Sequence, residues 1–387
     1  AYLKANYPVE FLAASMTLDM NNTDKLNVFR QDLDRLGIDL LPPDLNASGV
    51  DFRVESNGAS QGKIRYALAA IKNVGEGAME TLVKERSENG PFESLEDFTQ
   101  RLDTKVVNKR QMENLVRAGA FDGLNPNRRQ VFEGIETLLR HASAAANERD
   151  SGQMGLFGGA AAPDTTINLP DIPDWAPMDR LKEEFDAIGF YLSAHPLDDY
   201  GKTLKRLKAS SISEVLANGV SGPVVMAGTV IAITERTSQK GNRYAFVQCS
   251  DTTGVFEVTV FSEGLSAYRE FLEVGSSLFI KAAAEFEGDS ARFTAQSMEP
   301  LDAVAARSSP GMKVTLDGRD TDSVRQAMER LMGVLDRQGR GRGQVDIVIA
   351  DVDGSDVLVS SDLSFAVSPS IISEIRTLAG VADVEET

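Results

Sequence analysis

The sequence predicts a multidomain α+β chain, with helices first, short strands next and a small α/β unit last. Apolar residues recur at helical spacing between Pro8 and Leu139. Five β-prone runs crowd into about 75 residues after Gly222. Between them, from about Ala142 to Pro177, Ala, Gly, Pro and Asp accumulate without periodicity and read as a linker. The length agrees, since 387 residues at roughly 150 per domain give about two to four domains.

Pro8 opens a helix that runs toward Asp19. Thr23 caps the next, which carries Leu26, Phe29, Leu33 and Leu36 on one face. Gly37 ends it, and Pro42-Pro43 bars continuation. Val74-Gly75-Glu76-Gly77 breaks a helical pattern that resumes at Ala78 and runs to Arg86. Ser94 and Asp97 form a capping box for a helix through Arg101. Further helices span about Asn108 to Arg117, stopping at Gly119, and Asn127 to Leu139. A short helix follows the linker, from Met178 to about Ile188.

The period changes near Gly222. Strands are expected at Val224–Ile231, Tyr244–Cys249, Val255–Phe261, Ser277–Ala283 and Arg292–Ser297, with a helical stretch near Leu265–Leu272 after the third. Five strands with a helix between the third and fourth match an OB-fold β-barrel. The last 77 residues read as a small α/β unit. Its expected elements are a strand at Lys313–Leu316, a helix from about Asp322 to Asp336, strands at Val345–Ala350 and Asp356–Ser360, and a helix at Ser368–Leu378.

Net charge is −18, which argues against a generic nucleic-acid binder. The average hides a local difference. Gly62 to Arg140 carry 13 Lys/Arg against 12 Asp/Glu, a near-neutral block suited to a polyanion contact. No stretch approaches the ~20 apolar residues of a membrane span, and no basic-then-apolar leader opens the chain. A single cysteine, Cys249, excludes an internal disulfide and a cysteine-rich zinc module, and fits a reducing, cytosolic setting. The first residue is Ala1 and not Met, so the sequence reads as a piece of something larger.

The Gly75/Gly77 break has the form of a helix–hairpin–helix turn. Its glycines would let main-chain N–H groups face outward at the start of the second helix, where amides and dipole bind a phosphate. Lys72 lies just upstream. A plain packing joint fits the pattern equally well, and Glu76 opposes a phosphate unless it points away. A second break at Ala118-Gly119-Ala120-Phe121-Asp122-Gly123 follows a helix with Lys109 and Arg110, and Arg128 and Arg129 lie beyond it. Two such joints would hold a duplex backbone at two points, whereas solvated helix faces account for the same charges. In the barrel, Arg236, Lys240 and Arg243 surround Gly241 in the first hairpin loop, a usual nucleic-acid edge. Tyr244 and Phe246 share one face, which is either a base-stacking surface or the barrel interior.

Other apparent sites fail on their own chemistry. Gly339-Arg340-Gly341-Arg342-Gly343 follows a helix instead of opening one. The Asp351–Asp353 run lacks the glycine of a calcium loop at Asp356 and reads as a hairpin turn. His141 and His195, the two histidines, lie far apart, and Cys249 has no evident base.

The order of short segments carries a resemblance. Tyr2-Leu3-Lys4-Ala5-Asn6-Tyr7-Pro8-Val9-Glu10-Phe11 and Leu40-Leu41-Pro42-Pro43-Asp44-Leu45-Asn46 resemble the fingers region of C-family replicative DNA polymerases, the bacterial DNA polymerase III alpha subunits. In the same order follow Ala70–Gly77, Val107–Arg110, Ala118–Asp122 and Gly189–Leu197. The resemblance covers nearly the whole chain and is looser over 311–387.

It implies a domain order. Residues 1–55 end the fingers, 56–145 form a tandem helix–hairpin–helix region on the duplex backbone, and 146–177 are a linker. Residues 178–215 form a helical connector, 216–303 an OB-fold domain near the single-stranded template, and 311–387 a unit that contacts the clamp loader. Gln153-Met154-Gly155-Leu156-Phe157 resembles the pentapeptide by which bacterial replication proteins dock on the sliding clamp. Its Gln153 would fill a polar subsite and Leu156 and Phe157 an apolar groove, with Met154 also among the clamp-binding residues. Where the resemblance is not used, a chance apolar island accounts for it too.

The implied DNA-binding residues are Lys72, Gly75, Gly77, Lys109, Arg110, Gly119, Arg128, Arg129, Arg236, Lys240 and Arg243. The intact polypeptide is then expected to be a cytoplasmic DNA-directed DNA polymerase using two Mg2+ ions held in a palm domain that this sequence lacks. No catalytic residue or metal ligand carries over, and this piece alone is expected to be inactive. Implied partners are primed duplex DNA, single-stranded template, the sliding clamp and the clamp-loader subunit. A proofreading exonuclease is expected through an absent domain, and no membrane. The alternative is a non-enzymatic OB-fold single-stranded-DNA-binding or adaptor protein.

Overall fold

The computed structural model describes residues 2–55, 62–104, 106–151, 167–238, 241–287, 290–308, 311–352 and 355–387. The chain divides into two compact units, residues 1–175 with 179–194, and residues 176–178 with 195–387.

The first unit begins with α1 (Tyr2–Asn6), α2 (Pro8–Leu18) and α3 (Thr23–Leu36). The cap of α3 is Asn22, one residue before the expected Thr23, and its side chain accepts the Lys25 N–H. Gly37 closes α3 at φ 67°, a left-handed position that glycine adopts at little cost. A small sheet then appears that helical reading alone does not anticipate. Strands β1 (Leu40–Leu41), β2 (Arg53–Glu55) and β3 (Lys63–Arg65) pair in the order β1-β3-β2.

After a single 3-10 turn, η1 (Leu68–Ala70), come α4 (Glu76–Asn89), α5 (Leu95–Arg101), α6 (Lys109–Arg117), α7 (Arg128–Glu133) and α8 (Ile135–Ser151). The helix expected over Asn127–Leu139 is thus two helices, parted at Gly134. A Cβ there would stand 2.3 Å from Leu169 Cδ2, so a side chain at 134 would displace the segment that covers it. Helix α8 also runs through Ala142–Ser151, which composition assigned to the linker. Alanine favours helix even without an apolar period, and Leu138 and Ala142 are fully buried.

The far end of that supposed linker is ordered as well. Ile167 is buried, Trp175 packs on Phe132 at 5.5 Å between centroids, and Asn127 Nδ2 and Gln130 Nε2 donate to the carbonyls of Ile172 and Pro170. Helix α9 (Pro177–Ile188) follows. The core of this unit centres on Leu12, Leu68, Phe98, Met112, Leu115 and Phe121.

The second unit opens with a 3-10 turn, η2 (Asp198–Tyr200), α10 (Gly201–Arg206) and α11 (Ile212–Asn218). Its barrel comprises β4 (Gly222–Thr237), β5 (Arg243–Asp251), β6 (Gly254–Val260), α12 (Ser262–Tyr268), β7 (Ser277–Glu287) and β8 (Ser290–Pro300). The strands close in the order β4-β5-β6-β8-β7, with β4 paired to β7, which is the OB-fold topology. Met226, Val230, Ala245, Val247, Val258 and Ile280 fill the interior. Gly228 permits a close approach there, since a Cβ would lie 2.8 Å from both Cys249 Cβ and Phe256 Cζ.

Cys249 is fully buried in this core, and burial pushes its thiol pKa up to about 12. Its reaction with a thiol reagent is therefore expected to wait for barrel opening. In native buffer it should run about 10³-fold or more slower than a free thiol, and accelerate through the denaturant transition. Native-state labelling as fast as free cysteine would contradict a closed barrel.

Helix α11 carries a capping box between Ser211 and Glu214, and its Ile212 N–H donates to Asp251 Oδ2 at 2.6 Å. His195 is buried; its Nδ1 accepts the Leu197 N–H at 3.1 Å and its Nε2 lies 3.0 Å from Ser250 Oγ. The first bond leaves Nε2 as the protonated nitrogen of the neutral ring.

Helix α13 (Leu301–Ser308) leads to β9 (Gly311–Asp317), α14 (Thr321–Gln338), β10 (Arg340–Val352), β11 (Ser355–Phe365), α15 (Pro369–Arg376) and β12 (Val381–Glu386). The sheet order is β11-β10-β9-β12, with β9 and β10 parallel across α14. Strand β12 goes beyond the elements expected. Val314, Ile347, Leu331 and Ile375 are among the residues of the sheet–helix core. The Asp351 region is a hairpin, with Val352 paired to Ser355. Asp302 on α13 accepts from Tyr200 Oη and Ser370 Oγ, joining barrel and sheet inside this unit.

Candidate nucleic-acid interface

The hairpin at Ile71–Gly75 is built by a short bond and one unusual residue. The Val74 N–H donates to Ile71 O at 3.1 Å, and Asn73 takes φ 61°, so asparagine and not glycine makes the left-handed bend. Gly75 is the N-cap of α4 with φ −79° and ψ 136°, and no side chain caps the helix. The first N–H groups of any α-helix lack intrahelical acceptors. Gly75, Glu76 and Gly77 are all exposed, and a Cβ on Gly77 would meet nothing within 4 Å. Helix α4 starts two residues earlier than the sequence pattern implied, which places Glu76 in its first turn.

The start of α6 lies beside this end. Asn108 and Gln111 form a reciprocal capping box, and Gln111 Nε2 sits 3.2 Å from where a Gly75 Cβ would be. Two helix N-termini therefore converge, and Lys109 and Arg110, both exposed, occupy the first turn of α6. Lys109 Nζ lies 2.6 Å from Glu136 Oε1. That hydrogen bond raises the lysine pKa, with the charge of Glu136 adding to it, so Lys109 stays cationic. An exposed ion pair of this kind holds the side chain only weakly.

Three expectations about the surrounding residues require correction. Gly119 does not present amides. It lies at φ 88° just past α6; its own N–H donates to Val116 O and the Ala120 N–H to Leu115 O, the closing bonds of a Schellman motif. Gly119 is buried, and a Cβ on it would stand 2.1 Å from Arg128 Nη2.

Arg128 is not a phosphate contact, being only 4% exposed. Its Nε and Nη2 donate to Asp122 at 2.9 and 2.8 Å, and its Nη1 donates to Arg117 O at 3.0 Å. Glu184 Oε2, itself 1% exposed, lies 3.6 Å from Nη1. Burial opposes the guanidinium charge, but Asp122 and Glu184 outweigh it and hold the Arg128 pKa above its ordinary value. Every face of the group is thus occupied.

Lys72 is half-buried, with Nζ 5.8 Å from the Phe185 ring centroid and 2.9 Å from where a Gly189 Cβ would be. Burial lowers its pKa, against an upward pull from Asp186. Half-buried against that ring, Lys72 is not the freely exposed cation the sequence pattern implied.

Arg129 keeps a half-exposed side chain, while its N–H donates to Asp174 Oδ1 at 3.0 Å. Asp174 also receives Arg180 Nη1 at 2.5 Å, and Arg180 Nη2 reaches Asp122 at 2.9 Å. The chain's own carboxylate thus sits at the start of α7. Sequence reasoning missed Asp122, Asp174, Arg180 and Glu184, because an acidic residue far along the chain gives no local sign of which cation it meets.

In the barrel, Ala245 and Val247 point inward and are fully buried, so Tyr244 and Phe246 face outward. Their rings meet edge-to-face at 5.4 Å. Arg236 and Arg243 are exposed on the adjoining strand ends, and Arg243 Nη2 lies 2.8 Å from Glu235. Lys240, and the pentapeptide residues Gln153, Met154, Leu156 and Phe157, lie outside the described residues. Among the described residues no cluster of three or more His, Cys, Asp or Glu is placed to hold a metal ion, and no helix is long and apolar enough to cross a membrane.

Comparison with known proteins agrees with both architectures. A helix-hairpin-helix motif family matches residues 37–131, and an OB-fold nucleic acid binding domain family matches residues 224–301. The DNA polymerase III subunit alpha of Caulobacter vibrioides is 39% identical over 393 aligned residues, covering 100% of this chain and 33% of that protein. Those of Vibrio cholerae and Escherichia coli K12 are each 31% identical, each over 99% of this chain and 33% of the relative. The chain therefore spans about a third of the length of these curated relatives. Its alignment through hairpin, barrel and C-terminal sheet makes the chain a member of the bacterial DNA polymerase III alpha-subunit family.

Proposed function

We propose that this chain is the carboxy-terminal third of the catalytic subunit of a replicative DNA-directed DNA polymerase, and that it supplies sequence-independent grip on DNA. The observation that carries this reading is the convergence of the α4 and α6 N-termini beside Lys109 and Arg110. Main-chain amides and two cations at one surface suit a phosphate and read no base. An enzyme that copies any template needs that indifference. Nucleotidyl transfer, with two Mg2+ ions, would belong to a palm domain in the part of the family's length that this chain does not span, and the chain alone is expected to be inactive. Titration of a labelled primed duplex against the chain at rising salt tests the grip. Affinity should fall linearly on a log–log plot and equally for unrelated sequences. A salt-independent or sequence-selective isotherm would overturn it.

The resemblance at Gln153–Phe157 supports a second role, docking on the sliding clamp, with the C-terminal α/β unit meeting the clamp loader. Replacing Leu156 and Phe157 with Ala is expected to abolish clamp binding in surface plasmon resonance and leave the melting curve unchanged. Apolar anchors of this kind contribute about 2 kcal/mol or more each. A lowered melting temperature with clamp binding intact would instead mark the two residues as core.

A further inference from the structure

We propose that the bulge at the start of β10, which carries Arg340 and Arg342, is a further contact for the sugar–phosphate backbone of duplex DNA. It takes its ligand class from the DNA-binding reading above and adds a site in the C-terminal sheet, separate from the helix N-termini.

The geometry starts from strand register. Arg340 and Gly343 both register opposite Phe365, so Gly341 and Arg342 leave the ladder as a bulge. Glycine is what lets this bulge close. A Cβ at Gly341 would stand 2.5 Å from Ala366 Cα, and one at Gly343 2.7 Å from Val367 Cγ2. The bulge is therefore pressed against residues 366–367, while Arg340 and Arg342 are both exposed. The Arg340 guanidinium lies 5.5 Å from the Phe365 ring centroid. That ring is buried and fixed, and stacking on it holds the charged head in place.

Charge then selects the ligand. Residues 311–387 carry 8 Lys/Arg against 14 Asp/Glu. The edge strand β11 bears Asp356 and Asp362 and no cation. Residues 337–343, by contrast, hold three arginines and no acid. Arg319, Arg325 and Arg337 each meet a carboxylate of the unit. Arg340 and Arg342 meet none among the described residues. Two guanidinium groups left without a counter-charge gain from an anion. A phosphodiester offers the paired oxygens that a planar guanidinium fork matches, and the acidic surface around the patch confines a strand to it. Bases are not read here. Phe365 is 2% exposed and already covered by Arg340, so it offers no stacking face.

Titration of a labelled blunt duplex with the whole chain at rising salt tests the bulge. Arg340→Ala together with Arg342→Ala should weaken binding about tenfold, equally on unrelated sequences, and reduce the log–log salt slope by about 2. Arg342→Ala alone should reduce the slope by about 1 with the melting curve unchanged, because that side chain holds nothing in the fold. Arg342→Lys should keep the slope, since the charge remains. If both Ala variants bind duplex as the unaltered chain does, while reversal of Lys109 and Arg110 weakens binding, the bulge proposal fails and the grip survives. If the Ala variants weaken binding and the reversal does not, the grip fails and the bulge stands. If Arg342→Ala loses binding to an oligoglutamate peptide and none to DNA, the patch serves an acidic protein segment and the DNA assignment is overturned.

Discussion

Charge reversal at Lys109 and Arg110, to Glu at both positions, lowers the affinity for duplex DNA by about 10²-fold in the expected result. Two charge-assisted hydrogen bonds at roughly 1.5 kcal/mol each set that size. Reversal adds repulsion between the new carboxylates and the phosphates. The log–log salt slope should shrink by about 2, one unit for each phosphate no longer neutralised. The double Ala variant should shrink the slope equally with a smaller loss of affinity. Both residues are exposed, so the melting curve should hold. Unchanged affinity, or a loss on one sequence but not another, would remove the backbone grip.

Arg128→Ala separates structure from binding in the opposite direction. Removing this guanidinium takes the partner from Glu184, a carboxylate only 1% exposed, and from Arg117 O, and opens space beneath Gly119. Breaking a buried pair by deleting one partner costs about 3–5 kcal/mol. In a cooperative unit of this size that is a drop of roughly 6–20 °C in Tm. Arg128→Lys keeps the charge and loses the fork, so it should fall between. Calorimetry reads the result. A normal Tm with weakened DNA binding would make Arg128 a phosphate ligand after all.

The parts of the fold that sequence made legible are those with local causes. The Ser94 cap on Asp97 N–H and the Asn108–Gln111 capping box are set within four residues. β-Prone runs bounded by Gly, Asp or Ser marked barrel strands at Tyr244–Cys249 and Val255–Phe261, which the structure gives as Arg243–Asp251 and Gly254–Val260. Elements without a period of their own escaped. Two or three residues at Leu40–Leu41, Arg53–Glu55 and Lys63–Arg65 are too few to show one, and the Ala-rich end of α8 has no apolar stripe. Val381–Glu386 places only Val384 fully in the core.

The candidate site divides the same way. Gly75 and Gly77 lie exposed at an uncapped helix start, a feature that depends on neighbours in sequence. Gly119 looks alike on paper. What separates it is the Arg128 side chain lying against it, nine positions on and fixed by Asp122 and Glu184. Long-range ionic pairing has no periodic signature.

The Asp174 carboxylate at the start of α7 has a bearing on motion. With that helix end already satisfied from within, the proposed grip would rest on one open helix start, that of α4, instead of two. A single hold would let go easily, so a duplex held there should exchange faster than one gripped at both joints.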